Sequence, residues 1–408
     1  MSEVTLIILT YLFAKLALDA MQIHTTKTAK VDTKSAILLG IDEQQESKSR
    51  SYNISKLRIS MLRNIIYMSW VYFLLIGGGV YQINAIINIY FVNDYLINLL
   101  TVLTVLVVIV ISMLPLSYYS TFVIETKYEF NTSTKLLFLK DQLISIVMSL
   151  VLVAFISSVF FYIIDFKDMW WFLMALTIFS ITIISIFIYP TYISPLFNKF
   201  QNLDDEEIKN EIDDLSKRTN FSIDNLFVMN QSKRSKHPNA YFTGFSKNRR
   251  IVFYDTLLEL LNPKEIKAVL AHEIGHYKHK HISKSLLLST IIIFLGLFVL
   301  SNLINSSAYL ELLNLPFNEA SQLIALIFTY QVVSFFIDPF FSVLSRKNEY
   351  EADSFASKQV DKSLLISSLT KLYKSNLTFL IPNKLYAMVY YSHPTVLERI
   401  NNLNIKND

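Results

Sequence analysis

Seven long apolar runs, more than any other feature, limit what this chain can fold into. They lie near residues 4–22, 64–84, 98–117, 142–164, 169–189, 285–305 and 320–344. Each approaches the ~20 residues that a helix needs to cross about 30 Å of hydrocarbon. The expected fold class is therefore mainly α, a multi-pass membrane protein with seven transmembrane helices. The first run starts Met-Ser-Glu-Val with no basic stretch before it, which reads as a retained helix and not a cleaved signal peptide. It holds Lys15 and Asp19, four apart on one helical face, where they could pair or face the bundle interior.

Basic residues set the expected orientation. The connection after the first run carries Lys27, Lys30, Lys34, Lys48, Arg50, Lys56, Arg58 and Arg63, and that after the third carries Lys127, Lys135 and Lys140. The connection after the fifth is also rich in Lys and Arg. Those after the second and sixth have none, and the one after the fourth has only Lys167. This alternation predicts an N-terminus outside and all large polar segments in the cytoplasm. The net charge of +4 is then a positive-inside bias, and no basic stripe with interleaved aromatics suggests nucleic acid. With no cysteine in the chain, disulfides, cysteine nucleophiles and Cys-ligated zinc are excluded. A metal site would have to use His and carboxylates.

The chain divides at 1–189 (five spans), 190–283 (a polar segment), 284–344 (a helical hairpin in the membrane) and 345–408. Residues 23–62 are polar and carry no assigned role. Pro190 and Pro195 are expected to end any helix that reaches them. The run "DDEEIKNEIDDLSKRTN" has acids at its start and Lys217 and Arg218 near its end, matching a helix dipole. Strands are expected near 239–245 and 250–254, joined by a Ser-Lys-Asn turn, with a helix from about Asp255. Pro263 opens the next helix, and Ser392 reads as the cap of a short terminal one.

That helix contains His272-Glu273-Ile274-Gly275-His276. Residues i and i+4 lie about one turn apart on one face, so both imidazoles can reach one zinc ion. Glu273 projects beside them, placed to take a proton from a water on the metal. The next two spans form a hairpin that should return Asn348-Glu349-Tyr350-Glu351-Ala352-Asp353 to the side of the metal helix. Glu349 and Asp353 share a face there, while Glu351 points elsewhere. Glu349 is the expected third ligand, and Asp353 an acceptor for the free N–H of a ligating histidine. His279 and His281, with Lys278 and Lys280, read instead as a basic collar at the lipid headgroups.

These residues resemble those of the type I CaaX prenyl endopeptidases, integral-membrane zinc proteases of the gluzincin group. The resemblance rests on "YISPLFNKF" (192–200), "HPNAYFTGFSKNRRIVFYDTLLE" (237–259), "VLAHEIGHYKHKH" (269–281), "SRKNEYEADSFA" (345–356) and "SHPTVLERI" (392–400) in this order. It implies a cytoplasmic gluzincin-like zinc protease domain with a small β-hairpin or sheet. One Zn²⁺ would be held by His272, His276 and Glu349, with Glu273 as general base. It also implies that Asp353 lies behind the ligands, and that His393 and Arg399 face the catalytic centre. His393 would be a donor to the oxyanion, while Arg399 could instead be a structural partner for Glu349, Asp353 or another nearby acid. The strand from Asn239, Ala240 and Tyr241 resembles an edge that pairs with substrate backbone.

Peptide or protein substrates, prenylated C-terminal peptides among them, and a lipid bilayer are the implied partners. The alternatives are a quality-control protease of misfolded membrane proteins and, from another class, a non-catalytic metal-binding membrane protein. The chain has no Lys-rich terminal retrieval signal and uses Ile, Asn and Lys heavily. A bacterial inner membrane is expected on that ground, with the endoplasmic reticulum as the alternative.

Overall fold

The computed structural model describes residues 2–166, 168–221, 225–243 and 250–405. Among the described residues, six helices are long and apolar enough to span a membrane: Glu3–Thr28, Asp94–Glu125, Lys135–Ile163, Trp170–Phe197, His281–Ile304 and Glu319–Gln359. The count becomes seven if Glu43–Leu75 and Gly79–Tyr90, which meet at a 60° bend, form one span. The second apolar run is thus not the straight helix its composition suggests. Gly78 sits in the left-handed region at φ +70°, and a Cβ on Gly79 would lie 2.8 Å from the Phe73 ring. The glycine triplet lets the chain turn where side chains could not fit.

The prolines behave differently from the expectation. Pro190 and Pro195 do not end the preceding helix, which runs on to Phe197. Its turn Tyr189–Ile193 is π-helical, and the wider turn accommodates a residue that cannot donate to the regular ladder. Lys15 and Asp19 do not pair. Asp19 is buried in the bundle and accepts a 3.4 Å hydrogen bond from Asn64, while the Lys15 ammonium lies over the Tyr11 ring. Trp170, Phe160, Val80 and Ile304 are fully buried in the core that these helices share.

The soluble part is built on a four-stranded sheet, β1 (Phe200–Asn202), β2 (Asn225–Met229), β3 (Ala240–Thr243) and β4 (Arg250–Tyr254), in the order β1-β2-β4-β3. β2 and β4 run parallel, and the other two pairs are antiparallel. The expected hairpin is present as β3 and β4, while its Ser-Lys-Asn turn lies outside the described residues. β3 has a strand partner on one side only, so its outer edge is open among the described residues. The helix Pro263–Lys278 buries Ile266, Leu270 and Ile274 against Phe253, Leu257, Ile212 and Leu215. Each such side chain contributes roughly 1.5–3 kcal/mol. A rigid platform thus lies under the histidines.

Residues 23–62 now have a place. Leu39 packs with Leu380, Val396 and Ile400, and Ser49 and Asn53 both donate to the Leu377 carbonyl at 3.0 and 2.7 Å. This connection braces the C-terminal segment that carries His393 and Arg399. The last helix, Val396–Ile405, is capped by Thr395 and not by Ser392: the Thr395 backbone donates to Glu398 at 2.8 Å, and Thr395 Oγ1 accepts from the Glu398 N–H at 3.3 Å. This reciprocal pairing satisfies two groups, which Ser392 could not do from outside the first turn.

Candidate metal centre

Asn262 starts the histidine helix. Its side chain accepts from the Glu265 N–H at 3.0 Å, while Glu265 accepts from the Asn262 N–H at 2.9 Å, and Pro263 occupies the first turn. A well-capped helix realises the i, i+4 spacing as geometry, with the Nε2 atoms of His272 and His276 3.1 Å apart. The return helix Glu319–Gln359, unbroken from the membrane into the polar segment, brings Glu349 to them. Its Oε2 lies 3.4 Å from His272 Nε2 and its Oε1 3.3 Å from His276 Nε2.

Gly275 makes this approach possible. A Cβ there would fall 2.9 Å from Ala352 Cα and 3.0 Å from the Ala352 carbonyl oxygen, both backbone atoms that cannot turn aside. Gly275→Ala should therefore push the return helix away and carry Glu349 with it. The expected outcome is a loss of about 1–3 kcal/mol of stability and a clear drop in metal content, read by thermal unfolding and metal analysis of the purified protein.

The donor set fits a metal ion. Glu349 is 3% exposed, and its Oε2 has no hydrogen-bond partner among the described residues. Arg399 Nη1 at 3.3 Å and His272 Nε2 at 3.4 Å balance its charge without making that bond, which leaves the oxygen able to accept a further partner such as a metal ion. Ligand atoms on a tetrahedral zinc with bonds near 2.0–2.1 Å stand about 3.3–3.4 Å apart. Here the two Nε2 atoms are 3.1 Å apart, and each Glu349 oxygen lies in the same range from one of them, Oε1 3.3 Å from His276 and Oε2 3.4 Å from His272.

Behind the ligands lies a buried ion pair. Asp353 is fully buried, 2.9 Å from His272 Nδ1, and receives two bonds from Arg399 at 2.8 and 2.6 Å. Arg399 also sets Nη1 3.3 Å from Glu349 Oε2. It is thus the structural partner of both acids. Burial and the Arg399 charge push the His272 imidazolium down, but the neighbouring Asp353 and Glu349 carboxylates prevail and raise it to about 9. Burial alone would lower the Arg399 guanidinium; Asp353 reverses the sign and holds it above its usual range. His393 is exposed on the cavity side with Nε2 3.3 Å from Glu349 Oε1 and Nδ1 2.9 Å from Ser392 Oγ. Partial desolvation outweighs the pull of Glu349 and keeps its imidazolium below the ordinary value.

A cavity of about 360 Å³ opens over the three groups, and Glu273, His393, Asn239, Ala240 and Phe242 form part of its wall. Along β3 alternate residues face opposite ways. Ala240 and Phe242 point into the cavity, whereas the Tyr241 ring turns to the other face and packs edge-on to Tyr254. Of Tyr241, only the backbone is placed for a role at the site.

Of the residues expected to form a collar at Lys278–His281, Lys278 and Lys280 are exposed, but His281 is buried, which a headgroup collar does not allow. That ring is 3% exposed, with Nδ1 3.0 Å from His276 Nδ1 and Nε2 3.2 Å from Glu351. The chain turns sharply at Lys280, φ +57°, and carries His281 back under the metal helix. Sequence reasoning had no signal for this turn, because a left-handed residue is ordinarily announced by Gly or Asn.

Comparison with known proteins places this geometry. Residues 202–406 match the model of peptidase family M48, and residues 22–199 match that of the CAAX prenyl protease N-terminal region with five membrane helices. The chain belongs to peptidase family M48. It is a metalloprotease of the membrane, and the family implies a metal cofactor. Within the family it is 31% identical to CAAX prenyl protease 1 of Saccharomyces cerevisiae, over 89% of this chain and 86% of that one. The homologue of Taenia solium is 33% identical over 95% and 92%, and that of Homo sapiens 35% over 70% and 69%. The crystal structure of S. mikatae Ste24p superposes with a TM-score of 0.87 at 29% identity, covering 99% of both chains.

Proposed function

We propose that the chain is a zinc metalloendopeptidase that cleaves CaaX-type C-terminal substrates at the cytoplasmic face of a membrane. The observation that carries this reading is the buried Glu349 carboxylate between the two rings: Oε2, without a hydrogen bond among the described residues, stands 3.4 Å from His272 Nε2, and Oε1 stands 3.3 Å from His276 Nε2. His272, His276 and Glu349 would hold the ion. Bound there, zinc supplies Lewis acidity, which acidifies water and polarises an amide carbonyl.

The remaining work falls to the protein. Glu273, on the cavity wall beside His272, takes the proton from the attacking water and delivers it to the leaving amine. His393, neutral under the shift described above, donates from Nε2 to the oxygen on which negative charge develops. Asp353 accepts the His272 Nδ1–H and so fixes that ring with Nε2 toward the ligand position. Arg399 neutralises Asp353 and steadies Glu349. The open edge of β3, from Asn239 through Tyr241, pairs with an extended substrate and lays its scissile amide across the cavity. The alternation of basic connections supports a cytoplasmic site, and the names of the relatives support a prenylated CaaX substrate.

The test is hydrolysis by purified protein in detergent or vesicles, followed by mass spectrometry. A farnesylated CaaX peptide should be cleaved, cleavage should stop with a chelator, and added zinc should restore it. Cleavage of an unfolded membrane protein but not of the CaaX peptide would contradict the substrate. No cleavage of either by zinc-loaded protein would contradict the enzyme reading of this site.

A further inference from the structure

His281 is a buried histidine that the proposed chemistry leaves unused. In an unbroken helix, five residues correspond to about 500°, so His281 would face some 140° away from His276. The left-handed backbone at Lys280 (φ 57°, ψ 34°) ends that helix and starts the next at His281. The imidazole comes back against the metal site, although the turn residue is a lysine, for which this conformation is unfavourable. Strain kept in such a place is a sign that the position it creates is used.

The contact has only one consistent arrangement of protons. The Nδ1 atoms of His276 and His281 are 3.0 Å apart, and a hydrogen bond between them needs one donor and one acceptor. With Nε2 of His276 as a metal ligand, its neutral ring carries the proton on Nδ1 and donates. His281 must then accept at Nδ1, so its own proton sits on Nε2, which faces Glu351 Oε2 at 3.2 Å. On the proposed ligation by His276, we infer that His281 and Glu351 are positioning residues for the metal. Together they fix the tautomer and orientation of His276 through a two-step chain. His272 is anchored directly on Asp353, whereas His276 reaches its carboxylate through one further ring.

The same geometry argues against a second cation. His279, His281 and Glu351 have potential ligand atoms within 4.8 Å of one another. A metal there would take the His281 Nε2 lone pair and move its proton to Nδ1. Two N–H groups would then face each other across the 3.0 Å contact. The chain of hydrogen bonds and a second metal are mutually exclusive while His276 ligates through Nε2.

Zinc per chain and the rate of zinc release to a chelator test this in the full-length protein. His281→Phe keeps a ring but removes the acceptor, and His281→Asn restores an amide oxygen near the Nδ1 position. Glu351→Ala removes the end of the chain. Zinc affinity should fall roughly 10–100-fold in His281→Phe, recover most of that loss in His281→Asn, and fall by an intermediate factor in Glu351→Ala. Wild-type retention in His281→Phe would overturn the inference. So would equal losses in the Phe and Asn variants with unchanged unfolding temperatures, since a packing role would then suffice. Two zinc ions per wild-type chain would also overturn it. A wild-type chain with no zinc would instead refute the ligation by His276, and with it this inference. Should His281→Phe not fold, Glu351→Ala and His281→Asn give the decision.

Discussion

Glu273→Gln should keep the zinc content of the wild-type protein and lose peptide hydrolysis by a factor of roughly 10²–10⁴. The substitution is nearly isosteric and removes only the ability to accept a proton. Glu273 is next to His272 in sequence, but successive helix residues are rotated by about 100°. Its carboxylate therefore borders the cavity and does not join the ligand triangle of His272, His276 and Glu349. It lies near enough to Arg399 to favour that residue's charged form, so a modest change in stability is also expected. Turnover and metal content measured on the same preparation decide the matter. Activity kept with zinc bound would mean that another group is the base. Activity and zinc lost together would mean that Glu273 helps to hold the ion.

The second large effect is expected at Arg399, which meets His272 at Nδ1, 3.3 Å from its Nη2, and not on the side of the proposed metal. Arg399→Met should destabilise the protein by about 3–5 kcal/mol, the cost of leaving a buried charge without its partner. Asp353 would lose two hydrogen bonds of 2.8 and 2.6 Å, and Glu349 its neighbouring cation at 3.3 Å. Two buried carboxylates would then flank His272 without the guanidinium between them. Arg399→Lys should recover only part of the loss, since an ammonium cannot make the paired contact of a guanidinium. Thermal unfolding in detergent reads the effect. An unfolding temperature within one or two degrees of wild type in Arg399→Met would show that the pair contributes little.

What could be read in advance followed from short-range periodicity. The i, i+4 rule put His272 beside His276 and Glu349 on the face of Asp353, and the helical hairpin made their meeting a matter of chain path. What could not be read came from backbone exceptions. Lys280 adopts a left-handed turn without the residue type that signals one, so the sequence alone leaves His281 among the exposed residues that follow the helix. The π-helical turn at Tyr189–Ile193 carries a helix through Pro190, against the rule that proline ends it. The bend at Gly77–Gly79 divides an apolar run whose composition alone suggests one span. Tyr241 shows the limit from the other side: the strand was found, but which of its faces meets the cavity depends on sheet register.

The central claim is that one zinc ion sits among His272, His276 and Glu349, and diffraction at the zinc absorption edge tests it most directly. A single anomalous peak is predicted about 2.0–2.2 Å from His272 Nε2, His276 Nε2 and a Glu349 carboxylate oxygen. A peak centred on His279, His281 and Glu351, or no peak in protein shown to be active, would contradict it.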